Sequence, residues 1–352
     1  QRKLTVYAWV LLVLFPIIPS AISYWNYEAT GEEIEVVVVQ PNLDCYTEKF
    51  TYNAKTGEQK QATHVPYQQQ IKRLLDLSSQ SITPATKYVL FPETALHNGV
   101  NVAEASNYFD VNEVSKWVKQ NPHVSVFSGI DAFQNYGQTG GNSPTERYSK
   151  GFGYYDVYGS SIFLREGKKP EFYHKSKLVI GAETIPFKGL LKPLIMNFGG
   201  SSGGLGSQPN RSVFQSGNAK LAPVICYESV YGDFMTGYVK NGANFIAIIT
   251  NDGWWGNTSG HRQHLNYARL RAIELRRSIA RSANTGISAF INQRGDVVSA
   301  TKYDEMTALR GTVQLNEEMT FYAQYGDYLG RLAAFIAAFM LIASLVKRKI
   351  TK

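Results

Sequence analysis

The chain has 352 residues, 44% hydrophobic and 13% aromatic, enough to bury a sizeable core, and its mean hydropathy of −0.22 excludes a protein embedded in lipid throughout. Its 36 Lys and Arg against 28 Asp and Glu give a net charge of +8, compatible with nucleic acid, anionic lipid or simple solubility until the distribution of charge decides. Two cysteines, Cys45 and Cys226, allow at most one disulfide, between themselves.

In chain order, residues 4–22 are free of charge and about the length of one membrane span, with Pro16 and Pro19 as potential kinks. A signal peptide is the alternative reading, but no small-residue cleavage site stands out. "IEVVVVQ" (34–40) is a continuous β-branched run, expected for a strand buried on both faces. The spacing of Ile71, Leu74, Leu75 and Ser78 predicts an amphipathic helix over 66–79. "KYVLFPE" reads as a second buried strand ending at Pro92, 111–119 as a helix and "HVSVFSGI" as a third strand.

Residues 131–151 and 188–212 are expected to be long irregular loops, functional or mobile. The second carries Leu190, Leu191, Leu194, Ile195, Met196 and Phe198, which either dip into lipid or pack on their own domain. Strands are expected at 220–226 and 244–250, a helix over 262–280, and strands at "GISAFIN" and "GDVVSA". Residues 332–346, extended by Tyr328, Leu329 and a snorkelling Arg331, read as a second span. Arg2 and Lys3 before the first span, and Lys347, Arg348, Lys349 and Lys352 after the second, place both termini in the cytoplasm and everything between them outside. The expected organisation is a span in 1–26, one α/β (layered α+β) domain over 27–320, and a final span with a basic tail in 321–352.

Three reactive side chains stand where apolar strands give way to loops: Glu93 in "VLFPETA", Lys175 in "EFYHKSKLV" and Cys226 in "PVICYES". A carboxylate that takes the thiol proton, and an ammonium that with a backbone N–H stabilises an oxyanion, would make an acyl-transfer site without histidine. Taken singly, each has a plainer reading: a buried small hydrophobe, a helix cap, a solvated lysine. Their conjunction carries the argument.

"FPETA", "YHKSKLV" and "ICYES", followed by "TNDGWWG", resemble the nitrilase superfamily, and within it the apolipoprotein N-acyltransferases. The resemblance covers about residues 34–300. It implies an α-β-β-α sandwich flanked by two membrane helices, with Glu93 as general base, Lys175 as oxyanion partner and Cys226 as nucleophile. Glu183, Tyr227 and Glu228 match positions that support activity, and Asn251 and Trp254 of "TNDGWWG" are candidate substrate contacts. Where the family often has "PFGE" this chain reads "VIGAET", so the Glu183 match rests on its distance from Lys175, and Phe50 replaces an early Trp common in the family after the first strand.

The resemblance further implies a ping-pong cycle needing no cofactor or metal. An acyl chain passes from a phospholipid, typically phosphatidylethanolamine, to Cys226 and then to the α-amine of a diacylglyceryl-cysteine apolipoprotein. The implied setting is the bacterial inner membrane, with the domain on its outer side and further spans upstream. A membrane-tethered carbon-nitrogen hydrolase and a silent binding module are the alternatives.

"GGSSG" (199–203) satisfies a serine-hydrolase pattern outside the required strand-turn-helix setting and is set aside. His261 and His264 lack a third metal ligand and read as satisfied polar histidines. The arginines of 262–280, with Glu274 three residues from both Arg271 and Arg277, read as local helix pairing rather than a nucleic-acid stripe. Trp254 and Trp255 either line an acyl pocket or pack in the core.

Overall fold

A computed structural model describes residues 6, 7, 10, 11, 14, 15, 17–51, 63–141, 143–184 and 204–350, with side chains to 347. The strands are β1 (Glu33–Gln40), β2 (Thr86–Leu90), β3 (Leu96–Asn101), β4 (Ser125–Gly137), β5 (Arg147–Ser149), β6 (Gly153–Leu164), β7 (Glu171–His174), β8 (Phe214–Ser216), β9 (Ala219–Ile225), β10 (Phe245–Thr250), β11 (Ile279–Ala283), β12 (Ala289–Ile291), β13 (Val297–Ala300) and β14 (Thr307–Gln314). One sheet runs β14-β1-β2-β4-β6-β5, with β3 beside β4 and β7 beside β6; the other runs β13-β12-β11-β10-β9-β8. The helices are α1 (Ile17–Asn26), α2 (Tyr67–Ser81), α3 (Phe109–Gln120), α4 (Gly232–Lys240), α5 (Ser259–Leu275), α6 (Phe321–Tyr325) and α7 (Tyr328–Ile350).

The period-2 alternation of strand side chains explains why "EVVVV" has no polar face. Val36 and Val38 join a core shared with β9, β10 and β11, whereas Val37 and Val39 join a second core under α2 and α3. Phe234, Met235, Ala268 and Ala272 of α4 and α5 belong to the first core, on the side of the second sheet. The result is the expected four-layer α-β-β-α sandwich. Within it, β1-β2-β4 and β9-β10-β11 are parallel, so the carboxyl ends within each trio gather at one edge.

Several expectations are corrected. The stretch 131–151 is irregular only in part: its first seven residues extend β4, which pairs with β6 from Val126↔Leu164 to Gly137↔Tyr154, and β5 is added near the tip. Its polar, glycine-containing sequence has no apolar run to advertise a strand, and the two arms satisfy each other's backbone. The helix expected to reach residue 280 stops at Leu275, where Arg276 turns left-handed (φ 49°), and residues 279–283 become β11. Arg271 does pair with Glu274, at 3.1 Å, but Arg277 is buried and donates to the carbonyls of Ala243, Leu275 and Glu318. Cys45 and Cys226 are both buried and not joined by a disulfide, so the possible bridge does not form.

Among the described residues one helix, α7, is long and apolar enough to cross a membrane; Tyr328 at its start meets Phe321 edge-on at 4.9 Å, but none of its apolar window over Tyr328–Lys347 is buried. The first expected span is described only in part. There, α1 carries Pro19 in its first turn, where a missing N–H costs no hydrogen bond. Tyr24 donates to Asp296 Oδ1 at 2.6 Å, and the Arg276 guanidinium lies 3.8 Å from the Tyr27 ring centroid, seating the chain leaving α1 on the domain. The apolar residues 190–198 and "GGSSG" lie outside the described residues.

Candidate active site

Cys226 follows β9 directly and opens a 3-10 turn, Cys226–Val230, with φ of +49°. That left-handed conformation is costly for a residue with a Cβ and persists only where surroundings enforce it. Glu93 lies three residues beyond β2, on a segment that crosses β4 at Gly129. A Cβ on Gly129 would fall 2.5 Å from Thr94 N and 2.6 Å from the Glu93 Cα, so only glycine permits the crossing. Lys175 follows β7, and its backbone N–H donates to Gly159 O at 2.9 Å.

The structure brings Glu93, Lys175, Glu183 and Cys226 into one cluster. Lys175 is 1% exposed, and its Nζ donates to Glu93 Oε1 at 3.0 Å and to Glu183 Oε1 at 2.7 Å. Burial opposes its charge, but the two carboxylates more than offset this and hold the ammonium well above its ordinary pKa. Glu183 is steadied in turn by the Val179 N–H on Oε2, at 2.7 Å. Asn251, just past β10, donates its N–H to Glu93 Oε2 at 3.2 Å.

Burial, then the Glu93 charge, push the Cys226 thiol strongly upward, against the pull of Lys175 and a hydrogen bond with the Thr250 side chain. The resting group is therefore a thiol, and any nucleophilic attack by it would require a base at hand.

Glu228 does not face the thiol. Its Oε1 accepts from Tyr173 Oη at 2.6 Å and from the Ser176 N–H at 2.7 Å, while Oε2 accepts from the Ile225 N–H at 2.9 Å and from Tyr238 Oη at 3.3 Å. This fully buried carboxylate, its pKa raised by burial, straps the strand end before Cys226 to the segment that carries Lys175. Tyr227 packs its ring edge-on against Tyr231, 5.4 Å between centroids. Trp254 and Trp255 are 40% and 39% exposed, which removes the core-packing reading; Trp254 stacks on Phe50 at 6.2 Å and meets Tyr46 edge-on at 5.4 Å.

Sequence reading missed Lys49. It is 1% exposed, and its Nζ donates to Glu93 O at 3.1 Å and to Thr94 Oγ1 at 2.7 Å, while Thr94 Oγ1 itself donates to Glu93 O at 2.8 Å. Burial draws its pKa down to about 8. The carboxyl of half-buried Asp131, whose pKa desolvation raises to about 6, interacts with the Lys49 charge. A lysine in a polar loop gives no sign of burial; its one signal was a place shortly after the first buried strand. No group of three or more potential metal ligands occurs among the described residues.

Residues 61–321 match the family model for carbon-nitrogen hydrolases. The apolipoprotein N-acyltransferases of Chlorobaculum tepidum and Shewanella oneidensis are 27% and 26% identical to the chain over 332 and 339 residues, 91% and 90% of it but 58% and 57% of their own lengths. That of Pasteurella multocida is 36% identical over 165 residues, 44% of this chain and 30% of its own. The chain thus spans somewhat more than half the length of the first two.

Among solved structures, Saccharomyces cerevisiae Nit3, a member of branch 10 of the nitrilase superfamily, superposes with a TM-score of 0.54 at 15% identity over 82% of this chain and 93% of that one. The glutamine-dependent NAD+ synthetase of Acinetobacter baumannii gives 0.52 at 9% identity over 82% and 48%. These two likenesses concern the fold alone. The family match, by contrast, runs through both sheets and takes in Glu93, Lys175 and Cys226, and on that extent the chain belongs to the carbon-nitrogen hydrolase family.

Proposed function

We propose that the chain carries the catalytic domain of a lipoprotein N-acyltransferase working through a thioester on Cys226. The observation that carries the reading is the buried Lys175, gripped by Glu93 and Glu183 beside a cysteine held in left-handed backbone. Similarity to apolipoprotein N-acyltransferases over nine-tenths of the chain, and the exposed apolar helix α7, support a lipid substrate over a soluble amide.

In the first half-reaction Glu93 takes the thiol proton as Sγ attacks the ester carbonyl of a phospholipid. Lys175 Nζ and the Tyr227 N–H stabilise the oxyanion. Collapse breaks the bond to the glycerol oxygen, which leaves with the proton from Glu93 as a lysophospholipid. In the second, the neutral α-amine of a diacylglyceryl-cysteine apolipoprotein attacks the thioester and gives its proton to Glu93. The thiolate departs and is reprotonated, leaving an amide; thioester to amide runs downhill without ATP.

Glu183 keeps Lys175 in line, Glu228 fixes the two strand ends, Asn251 orients Glu93, and Trp254 with Phe50 and Tyr46 offers an aromatic wall to an acyl chain. Phosphatidylethanolamine is the proposed donor. The proposed setting is the bacterial inner membrane, with the domain, residues 27–320, on its outer side and α7 as an anchor.

Intact-protein mass spectrometry after incubation with phosphatidylethanolamine, followed by a diacylglyceryl-cysteine peptide, tests the reading. An acyl mass on Cys226 that moves to the peptide amine is expected. An acyl mass lost to water with the peptide unmodified would replace it with a membrane-tethered hydrolase.

A further inference from the structure

The strained backbone of Cys226 is held from behind. Its carbonyl oxygen accepts two hydrogen bonds, from Ser229 Oγ at 2.8 Å and from His264 Nε2 at 3.1 Å. A carbonyl can only accept, so Nε2 carries the hydrogen. The other ring nitrogen, Nδ1, lies 3.0 Å from both Asp252 Oδ1 and Arg281 Nη2, and Arg281 Nη2 donates to Asp252 Oδ2 at 2.7 Å. Thr250 Oγ1 also donates to Asp252 Oδ1, at 2.9 Å. His264 is 3% exposed and Asp252, Arg281 and Ser229 are 0%, so the ring is fixed by charged neighbours that water does not loosen.

Asp252, His264 and Ser229 have the connectivity of a serine-nucleophile triad, with His264 Nε2 also 3.0 Å from Ser229 Oγ. They do not form a second active site. Ser229 is fully buried, and its own hydrogen is committed to the Cys226 carbonyl.

What they hold is one peptide plane. In a trans peptide the carbonyl and the N–H point in opposite directions. Fixing the oxygen of the Cys226–Tyr227 peptide therefore fixes the direction of the Tyr227 N–H. That N–H lies in the first turn of its 3-10 helix, where it has no acceptor of its own, and no acceptor elsewhere among the described residues takes it. It remains available to an oxyanion formed beside Sγ. We propose that His264, anchored by the buried Asp252–Arg281 pair, is a positioning residue that aims the Tyr227 amide at the oxyanion of the acyl-transfer intermediate. His264 touches no reacting atom, and the proposal rests on the thioester chemistry above.

The test compares two reactions at one sulfur in the detergent-solubilised full chain. Acylation by phosphatidylethanolamine passes through an oxyanion; alkylation by iodoacetamide is a displacement that does not. His264→Leu is expected to slow acylation by about 100-fold with alkylation little changed, and His264→Gln, whose side-chain amide is also a donor, is expected to recover most of the rate. Equal losses in both reactions would mean that His264 shapes the thiol or the fold, and would overturn the proposal; so would an unchanged acylation rate. If His264→Leu does not fold, Ser229→Ala removes the other donor to the same oxygen and is expected to slow acylation alone, by about 10-fold. A wild-type chain that is alkylated but never acylated refutes the thioester reading itself, and the proposal with it.

Discussion

The main-chain N–H of Asn251 donates to Glu93 Oε2 at 3.2 Å, so a residue just past β10 of one sheet orients a carboxylate carried by the other. With Lys175 on Oε1, each oxygen of Glu93 has a donor of its own, one neutral and one cationic. Glu93→Gln keeps the shape and one acceptor but cannot take a proton. Acylation of Cys226 should fall by roughly 100- to 10,000-fold with the unfolding midpoint little moved. Stopped-flow or timed mass spectrometry reads the rate, and a near-normal rate would remove Glu93 as the base.

Cys226→Ala deletes one small buried atom group at a strand end. The thioester should be absent, while stability changes by about 1 kcal/mol or less, because the lost packing is small and the alanine inherits the same backbone cost. Urea unfolding checks the second half, and a collapse of the fold would assign the cysteine a structural role.

Glu228→Ala should be worse for the fold than either. It strands the buried N–H groups of Ile225 and Ser176 and the hydroxyls of Tyr173 and Tyr238, a loss of roughly 3 kcal/mol or more. Glu228→Gln, which keeps an acceptor oxygen, should lose less. Thermal unfolding of the two variants side by side would show whether the strap acts as described; equal and small shifts would say that it does not.

Lys49 gives a pH signature. Its folded pKa, about 8, lies below the ordinary 10.5, so the unfolded chain binds the extra proton between those values. Stability from this group therefore rises with pH across that window and is flat below about 8, where the buried charge is a full cost. Lys49→Met lacks the group. The stability difference, wild type minus variant, should increase by on the order of 3 kcal/mol from pH 8 to 10.5, above an offset from the lost bonds to Glu93 O and Thr94 Oγ1 that does not change with pH. A difference that is constant with pH would mean that Lys49 keeps its ordinary pKa.

What the sequence disclosed follows from what its residues must bury. Runs such as "EVVVV" and "FIAIIT" have no polar alternation, so only a sheet covered on both faces accommodates them, and the sandwich follows. Glu93 and Cys226 were legible as candidates because each stands just past such a run, and Lys175, which follows "EFYH", only through its conjunction with them. The hidden features are polar residues whose burial depends on distant partners. Arg281 is fully buried in β11 because Asp252 meets it from beyond β10, and no local pattern marks a strand containing an arginine. Lys49 is buried by the Glu93 carbonyl, 44 residues away. His264 was legible as a satisfied histidine, but not what satisfied it.

The crossing at Gly129 separates inventory from aim. A relative could retain every carboxylate, ammonium and thiol of this cluster and still be silent if position 129 carried so much as a methyl group, since that methyl would displace the Glu93 segment while leaving charge untouched. Gly129→Ala is thus the smallest edit expected to disarm the centre, and the rate of thioester formation would register it where a check of the reactive residues would not.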